Sequence, residues 1–279
     1  MKKYLVLGSS GQIGGHLVSF LRNMGHHVIE FDIERTLRED LRVHNSELLS
    51  SAVRESDFVF FLAFDVGGSK YLKRYQNTFD FINNNVAIMH NTFKEINASE
   101  KPFLFASSQM ADMGHSTYGV CKSIGEKYTE ALGGINVKMW NVYGREADLE
   151  KSHVITDFIR MAKDNKKISM MTTGTEQRQF LHAEDCCECL YTLSEKYGEI
   201  ERDTPCHVTS FEWVSISAVA EEVAHNFEDV EIEASKAEDS VHCGWKKNPD
   251  RSILEHWKPK IGLREGIKDV IAMMRGKSD

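Results

Sequence analysis

Residues 4–7, YLVL, form an apolar run of β-forming side chains that stops at a glycine-rich turn, Gly8 to Gly15. Leu17, Phe20, Leu21 and Met24 then recur at helical spacing, Gly25 ends the helix, and residues 27–32, HVIEFD, make a second apolar run. Strand, glycine turn, helix and strand in this order predict a βαβ unit, with its turn at the ligand-facing end of a parallel sheet. The alternation continues. Residues 57–63 (DFVFFLA), 102–108 (PFLFASS) and 135–144 (INVKMWNVYG) read as strands, the last with an exit loop, and residues 81–97 and 116–132 between them read as helices. Such alternation predicts an α/β fold built on a doubly wound parallel sheet.

Beyond about residue 149 the pattern loosens. Residues 153–165 predict a helix, residues 178–198 a short extended segment feeding a second helix, and residues 213–227 and 263–275 amphipathic helices. The expected organisation is a nucleotide-binding domain over 1–148 and a smaller, α-rich C-terminal substrate lobe over 149–279, with segments near 178–210 able to return to the first domain.

Composition narrows the function. A chain of 279 residues can bury a large core or a large and a small one. Its hydrophobic and charged shares, 41% and 27%, are those of an ordinary globular protein. A net charge of −8 argues against a nucleic-acid partner. No apolar run reaches the length of a membrane span, and the start Met1-Lys2-Lys3 is not read as a signal peptide, because the glycine turn interrupts the apolar stretch behind it. The six cysteines are irregularly spaced, as in a cytoplasmic protein with free thiols. His182, Cys186, Cys187 and Cys189 lack a second cysteine pair at zinc-ligand spacing, so they read as a core-facing helix and no metal is expected.

Two stretches carry chemistry. Gly8-x-x-Gly11-x-x-Gly14 lies between a strand and a helix, where glycines let the backbone approach a pyrophosphate at the helix N-terminus. Asp32 closes the next strand 18 residues after Gly14, close to the spacing of an acid that accepts ribose hydroxyls. The fold is therefore expected to be of the Rossmann type. The Asp32 carboxylate would repel a 2′-phosphate, which favours NAD over NADP, although Arg35 stands nearby. Residues 107–122, SSQMADMGHSTYGVCK, hold Tyr118 and Lys122 one helical turn apart. That is also the spacing of an ordinary surface pair. A tyrosine is mostly protonated at pH 7, and the lysine charge would favour its phenolate. Strand register selects Ser108 as the hydroxyl that bonds the reacting oxygen; a shift of one residue selects Ser107.

The glycine motif, Asp32, FFLA (60–63), Tyr118-x-x-x-Lys122, NVYG (141–144), RQFLHAED (178–185) and HWKPKIGLREGI (256–267), in this order, resemble the extended short-chain dehydrogenase/reductase family. That family contains sugar-nucleotide epimerases, dehydratases and reductases. The resemblance covers nearly the whole chain. It implies dinucleotide contacts from Gly8, Ser10, Gly11, Gln12, Ile13, Asp32, Asp40, Leu41, Ala63 and Lys122. It implies catalytic roles for Tyr118, Lys122 and Ser108, and substrate contacts from Asn141 and from Arg178, which would grip a diphosphate. Asn85 matches a helix asparagine near the catalytic end, with Asn84 and Asn83 as competitors. A homodimer through the Tyr-Lys helix and the helix before it is also implied.

Departures from the family pattern limit the reaction. The residues after the catalytic hydroxyl are Gln109 and Met110, which cannot supply the acid and base of a 4,6-dehydratase. FDVGG (64–68) and SHVI (152–155) resemble GDP-fucose synthase, and the former also GDP-mannose 3,5-epimerase. There a histidine at the place of His153 pairs with a cysteine to epimerise carbons next to a 4-ketone, which implies a catalytic role for His153, while the cysteine position here falls on Met110 or Gln109. Lys138 stands where an arginine is common, and the gap from Ser108 to Tyr118 is short. The expected function is oxidation and reduction at C4 of a nucleotide-linked sugar, as an epimerase. The alternatives are a GDP-sugar 4-reductase or 4-dehydrogenase, and a non-catalytic dinucleotide sensor.

Overall fold

The computed structural model describes residues 1–146, 148–239 and 247–275. Six parallel strands form its main sheet: β1 (Lys3–Leu7), β2 (His27–Phe31), β3 (Phe58–Phe61), β4 (Phe103–Ser108), β5 (Ile135–Met139) and, far along the chain, β10 (Cys206–Val208), in the spatial order β10-β5-β4-β3-β1-β2. Helices α1 (Gln12–Asn23), α2 (Glu47–Glu55), α3 (Ser69–Tyr75), α4 (Phe79–Ser99) and α5 (Thr117–Ala131) fill the intervals. Both faces of the sheet are covered, so its strands are apolar at successive positions. Tyr4 and Val6 enter one core cluster, while Leu5 and Leu7 enter the cluster on the opposite face.

Beyond β5 come β6 (Asn141–Tyr143), α6 (Val154–Asn165), β7 (Lys167–Ser169), β8 (Gln177–Arg178), β9 (Phe180–His182), α7 (Ala183–Glu195), β11 (Val214–Ser215), α8 (Ile216–Ala224), β12 (Glu231–Glu233) and α9 (Leu263–Arg275). The faces of α6, α8 and α9 meet in a separate core with Ile168, Phe180 and Tyr143. This core is distinct from the two that cover the sheet.

The chain does not pass from one half to the other only once. Helix α7 packs on α1, and its Cys186, Cys187, Cys189, Leu190 and Leu193 join the core of Tyr4, Val6 and Leu17. These cysteines, with Cys121 and Cys206, are buried and unpaired. Strand β10 then extends the sheet beside β5. Neither β10 nor the short helices α2 and α3 stands out in the periodicity, because each is too brief to show a repeat. Among the described residues no helix is long and apolar enough to cross a membrane.

The tightest backbone contact of the first βαβ unit lies under Gly14. A Cβ there would sit 2.0 Å from the carbonyl oxygen of Gly8, whereas a Cβ on Gly25, at φ +81°, would meet nothing within 4 Å. Gly14→Ala is therefore expected to lower the unfolding free energy by more than about 2 kcal/mol. Gly25→Ala should cost only about 1 kcal/mol, the strain of a left-handed alanine. Urea denaturation midpoints of the two variants test the order.

Candidate active site

Because β1, β3, β4 and β5 run parallel, the segments that leave them emerge at one edge of the sheet. The turn after β1 is drawn together by Gly8 N–H donating to the Phe31 carbonyl at 2.9 Å and Gly11 N–H to the Gly8 carbonyl at 3.2 Å. A Cβ on Gly8 would lie 2.8 Å from Ala63, so the turn presses directly on the end of β3. Asp32 reaches back to this turn. Its carboxylate accepts from Ser10 N–H and from Glu34 N–H, each at 2.9 Å.

The start of α1 fits an anionic group. Gly11 is its N-cap and supplies no side-chain acceptor, which leaves the first-turn N–H groups, with Gln12 and Ile13 among their residues, without a side-chain cap. The hydroxyl of Ser9 is buried without a hydrogen-bond partner. Glycines that keep the seat clear, uncapped N–H groups and a carboxylate on the adjoining strand suit a dinucleotide. Further along the same rim, Arg42 holds Asp40 by its side chain and backbone, which depresses the Asp40 carboxyl. Leu41 is buried, and its carbonyl accepts from Asn91 at 2.9 Å. Arg35 is paired with Glu30 at 3.0 Å and Glu39 at 3.4 Å.

Tyr118 and Lys122 lie on the first turns of α5, which Ser116 caps through Gly119 N–H. Ser108, at the end of β4, accepts from Met110 N–H at 3.1 Å and lies close enough to the Tyr118 phenol to favour its ionised form. Tyr118 is 9% exposed and packs with Leu72, Phe81, Met110 and Met113. Lys122 is 3% exposed; its Nζ donates to the Ala106 carbonyl at 2.5 Å and stands 3.7 Å from the centroid of the Phe64 ring. The same ring meets Tyr118 edge to face at 5.8 Å. Phe64 is thus the bridge between the β3 end, beside the glycine turn, and the phenol.

Here the electrostatics depart from expectation. Burial pushes the Tyr118 phenol up to about 12, and Ser108 only partly opposes it. Burial likewise pushes Lys122 down to about 7, against the pull of Glu126. The ammonium does not lower the phenol in this structure, because desolvation disfavours the charged form of both groups at once.

The two serines part company. Ser107 Oγ donates to Glu126 at 2.5 Å, and Glu126 lies 3.5 Å from Lys138 Nζ, which is also paired with Asp112. Ser107 and Lys138 are register partners on neighbouring strands. The hydroxyl of Ser107, the alternative to Ser108 under a one-residue shift and the other serine that could contact substrate, is engaged with Glu126 in a buried network. Asn85 is the buried asparagine of its trio. It binds the backbone of Asp65 through both amide atoms, at 2.8 and 3.1 Å, and pins the FDVGG loop.

A second group of expected residues meets elsewhere. Asn141, His153 and Arg178 line a cleft of about 130 Å³ between α3, α6, β6 and β8, with Lys70 and Lys73 on its α3 wall. Asn141 donates to the Gln179 carbonyl at 3.3 Å. Arg178 is paired with Asp239. His153 Nδ1 lies 2.6 Å from Glu146 Oε1, and its backbone N–H donates to Glu146 Oε2 at 3.0 Å. Helix α3 joins the two groups: Leu72 packs on Tyr118, while Ser69, Lys70 and Lys73 face the cleft. Sequence reasoning passed over Phe64, Glu126 and Glu146. Glu126 lies one helical turn beyond Lys122 and was open to spacing arguments; nothing local links Glu146 to His153.

The model of the family described as "NAD dependent epimerase/dehydratase family" matches residues 4–205. UDP-glucuronic acid decarboxylase 1 of Arabidopsis thaliana is 24% identical over 99% of this chain and 70% of its own length. GDP-mannose 3,5-epimerase 1 of Oryza sativa subsp. indica is 24% identical over 94% of this chain and 79% of its own. Among solved structures, the epimerase Mth375 of Methanothermobacter thermautotrophicus superposes with a TM-score of 0.86 at 18% identity, covering 99% of this chain and 92% of that one.

Lys122 gives the site a testable pH signature. Its proton is held less tightly in the fold, at about 7, than at the ordinary 10.5. The unfolded chain therefore binds more protons between those values, and the stability linked to this group is lost as pH falls through that window. Lys122→Met is expected to raise the melting temperature of the ligand-free protein at pH 7 by roughly 2–5 °C, with the gain shrinking toward pH 9.5. A gain independent of pH would show that the ammonium is not desolvated.

Proposed function

The chain belongs to the NAD dependent epimerase/dehydratase family, and from that premise we propose that it moves hydride at a sugar carbon, C4, of a nucleotide-linked sugar and acts as an epimerase. The observation that carries this reading is the burial of Tyr118 and Lys122 against one ring, Phe64, beside Ser108 and at the sheet edge that also holds the glycine turn and Asp32. NAD seated there supplies a hydride acceptor, and a donor once reduced.

The residues divide the remaining work. The glycine turn and the start of α1 bind the diphosphate of the dinucleotide, and Asp32 accepts its ribose hydroxyls. Tyr118 takes the proton of the sugar hydroxyl as phenolate and returns it as phenol. Ser108 bonds the same oxygen and keeps it in line with the phenol. Lys122, dry beneath Phe64, holds a positive charge where it acts at short range on the phenolate. Arg178 and Asn141, with Lys70, hold the nucleotide of the substrate in the cleft beside α6.

A second reading is a GDP-sugar 4-reductase or 4-dehydrogenase, in which His153 serves as a base at the cleft. The position of His153 on the cleft wall favours it. Stoichiometric NADH or NADPH consumption with a GDP-linked 4-keto-6-deoxyhexose supports that reading; turnover without net consumption supports the epimerase. Binding of a dinucleotide with no turnover at all would leave a sensor.

We also infer a homodimer. Phe79, Ile82 and Val86 on α4 and Val120, Ile124 and Tyr128 on α5 are exposed apolar side chains at helical spacing on two packed helices. A second copy of the same stripe would bury them in a four-helix interface.

Tyr118→Phe is expected to lower kcat by roughly 10²- to 10⁴-fold while leaving dinucleotide binding intact. Mass analysis of nucleotides released on denaturation, alongside turnover on a panel of sugar nucleotides, checks it; full activity in the variant overturns the assignment. Ile124→Glu should convert the dimer to a monomer in light scattering.

A further inference from the structure

We propose that Glu146 is a positioning residue that holds His153 in its Nδ1–H tautomer and so leaves Nε2 as the proton-accepting atom of the ring on the cleft side. The inference deepens the reading of His153 as a base and rests on it.

Among the described residues two histidines occupy helix N-caps, and they are used differently. His182, at the start of α7, caps in the ordinary way: its Nδ1 accepts from Glu184 N–H at 3.4 Å. His153, at the start of α6, makes no side-chain cap bond. Its ring turns instead to Glu146, seven residues back, and Nδ1 lies 2.6 Å from Oε1. The second oxygen of the same carboxylate accepts the His153 backbone N–H at 3.0 Å. One carboxylate therefore grips both the main chain and the ring of one residue, which restricts the ring to a single rotamer.

Burial gives this grip its direction. The Glu146 side chain is 4% exposed, whereas that of His153 is 41% exposed and lines the cleft with Asn141 and Arg178. The acid is behind the ring and the open side is in front. A carboxylate accepts hydrogen bonds and donates none. The contact at 2.6 Å therefore places a hydrogen on Nδ1, and in the neutral ring Nε2 is then the lone-pair nitrogen. A histidine side chain free in water favours the Nε2–H tautomer, so the Nδ1–H form here needs the acceptor that Glu146 provides. When Nε2 takes up a proton, the ring becomes a cation against a carboxylate already in place, and no group has to move to balance it.

The tautomer can be read directly. In protein labelled with ¹⁵N-histidine, with His153→Asn to assign the resonance, long-range ¹H–¹⁵N correlation at pH 9 should show Nδ1 protonated and Nε2 bare in the wild type. Glu146→Ala should shift His153 toward the Nε2–H form. Glu146→Gln, whose amide oxygen still accepts from Nδ1–H, should retain most of the wild-type pattern. With a GDP-linked 4-keto-6-deoxyhexose in D₂O, Glu146→Ala should slow deuterium uptake into the sugar at least about tenfold, with dinucleotide affinity unchanged and partial rescue in Glu146→Gln. A wild-type ring protonated on Nε2, or an unchanged tautomer in Glu146→Ala, overturns the proposal. A locked Nδ1–H tautomer with no deuterium uptake in the wild type supports the positioning role and removes the base reading of His153 instead.

Discussion

The structure turns on a costly burial: an ammonium and a phenol, one helical turn apart, are shut away from water at the end of β4. Lys122 has one carbonyl and the faces of aromatic rings for company. An unpaired charge in such a place is unfavourable, so the group sheds its proton readily while the phenol keeps its own. Burial thus makes the Lys122 proton easier to lose and the Tyr118 proton harder to lose. Low local polarizability is also what would make any charge brought beside the phenol act strongly. The burial that weakens the resting pair thus prepares the site to respond to a bound cation, and the rest of the fold holds the cover in place.

That cover is assembled from elements with little in common along the chain. Phe64 comes from the exit of β3, Leu72 from α3, Phe81 from α4, and Met110 and Met113 from the loop after β4. On the opposite side, Glu126 and Lys138 form an ionic pair joined to Ser107. Ser107, on the same face of β4 as Phe105, meets Glu126 of α5, while Ser108, the last residue of the strand, lies at the sheet edge near the first turn of the same helix. Tyr118 and Glu126 both belong to α5, with Lys122 between them.

Features set by short-range order were readable from the chain. Gly8, Gly11 and Gly14 declare the turn, Asp32 follows at the spacing of one βαβ unit, and Tyr118 and Lys122 share a helix face. Register also separates Ser108, on the Tyr118 side, from Ser107, which is engaged with Glu126. What could not be read belongs to tertiary placement. The charge state of Lys122 depends on Phe64, 58 residues upstream. The company of His153 depends on how the 144–153 loop folds back to bring Glu146 beneath the ring. The partner of Lys138, Asp112, comes from the loop after β4 and not from its own strand. Spacing names the groups that do chemistry; desolvation and folding-back of loops decide their protonation, and neither has a period.

The connectivity of α7 and β10 has its own consequence. The stretch that supplies β6, α6 and β9 is an insertion: the chain leaves the sheet after β5, builds part of the separate core, and comes back to lay α7 on α1 and β10 beside β5. It then leaves again for α8, touches the first core once more with Ile253 and Trp257, and ends in α9. Neither half is a severable unit. Several covalent crossings at separate points tie the two cores together, so a single cut in the chain between β5 and α9 would leave neither of them whole.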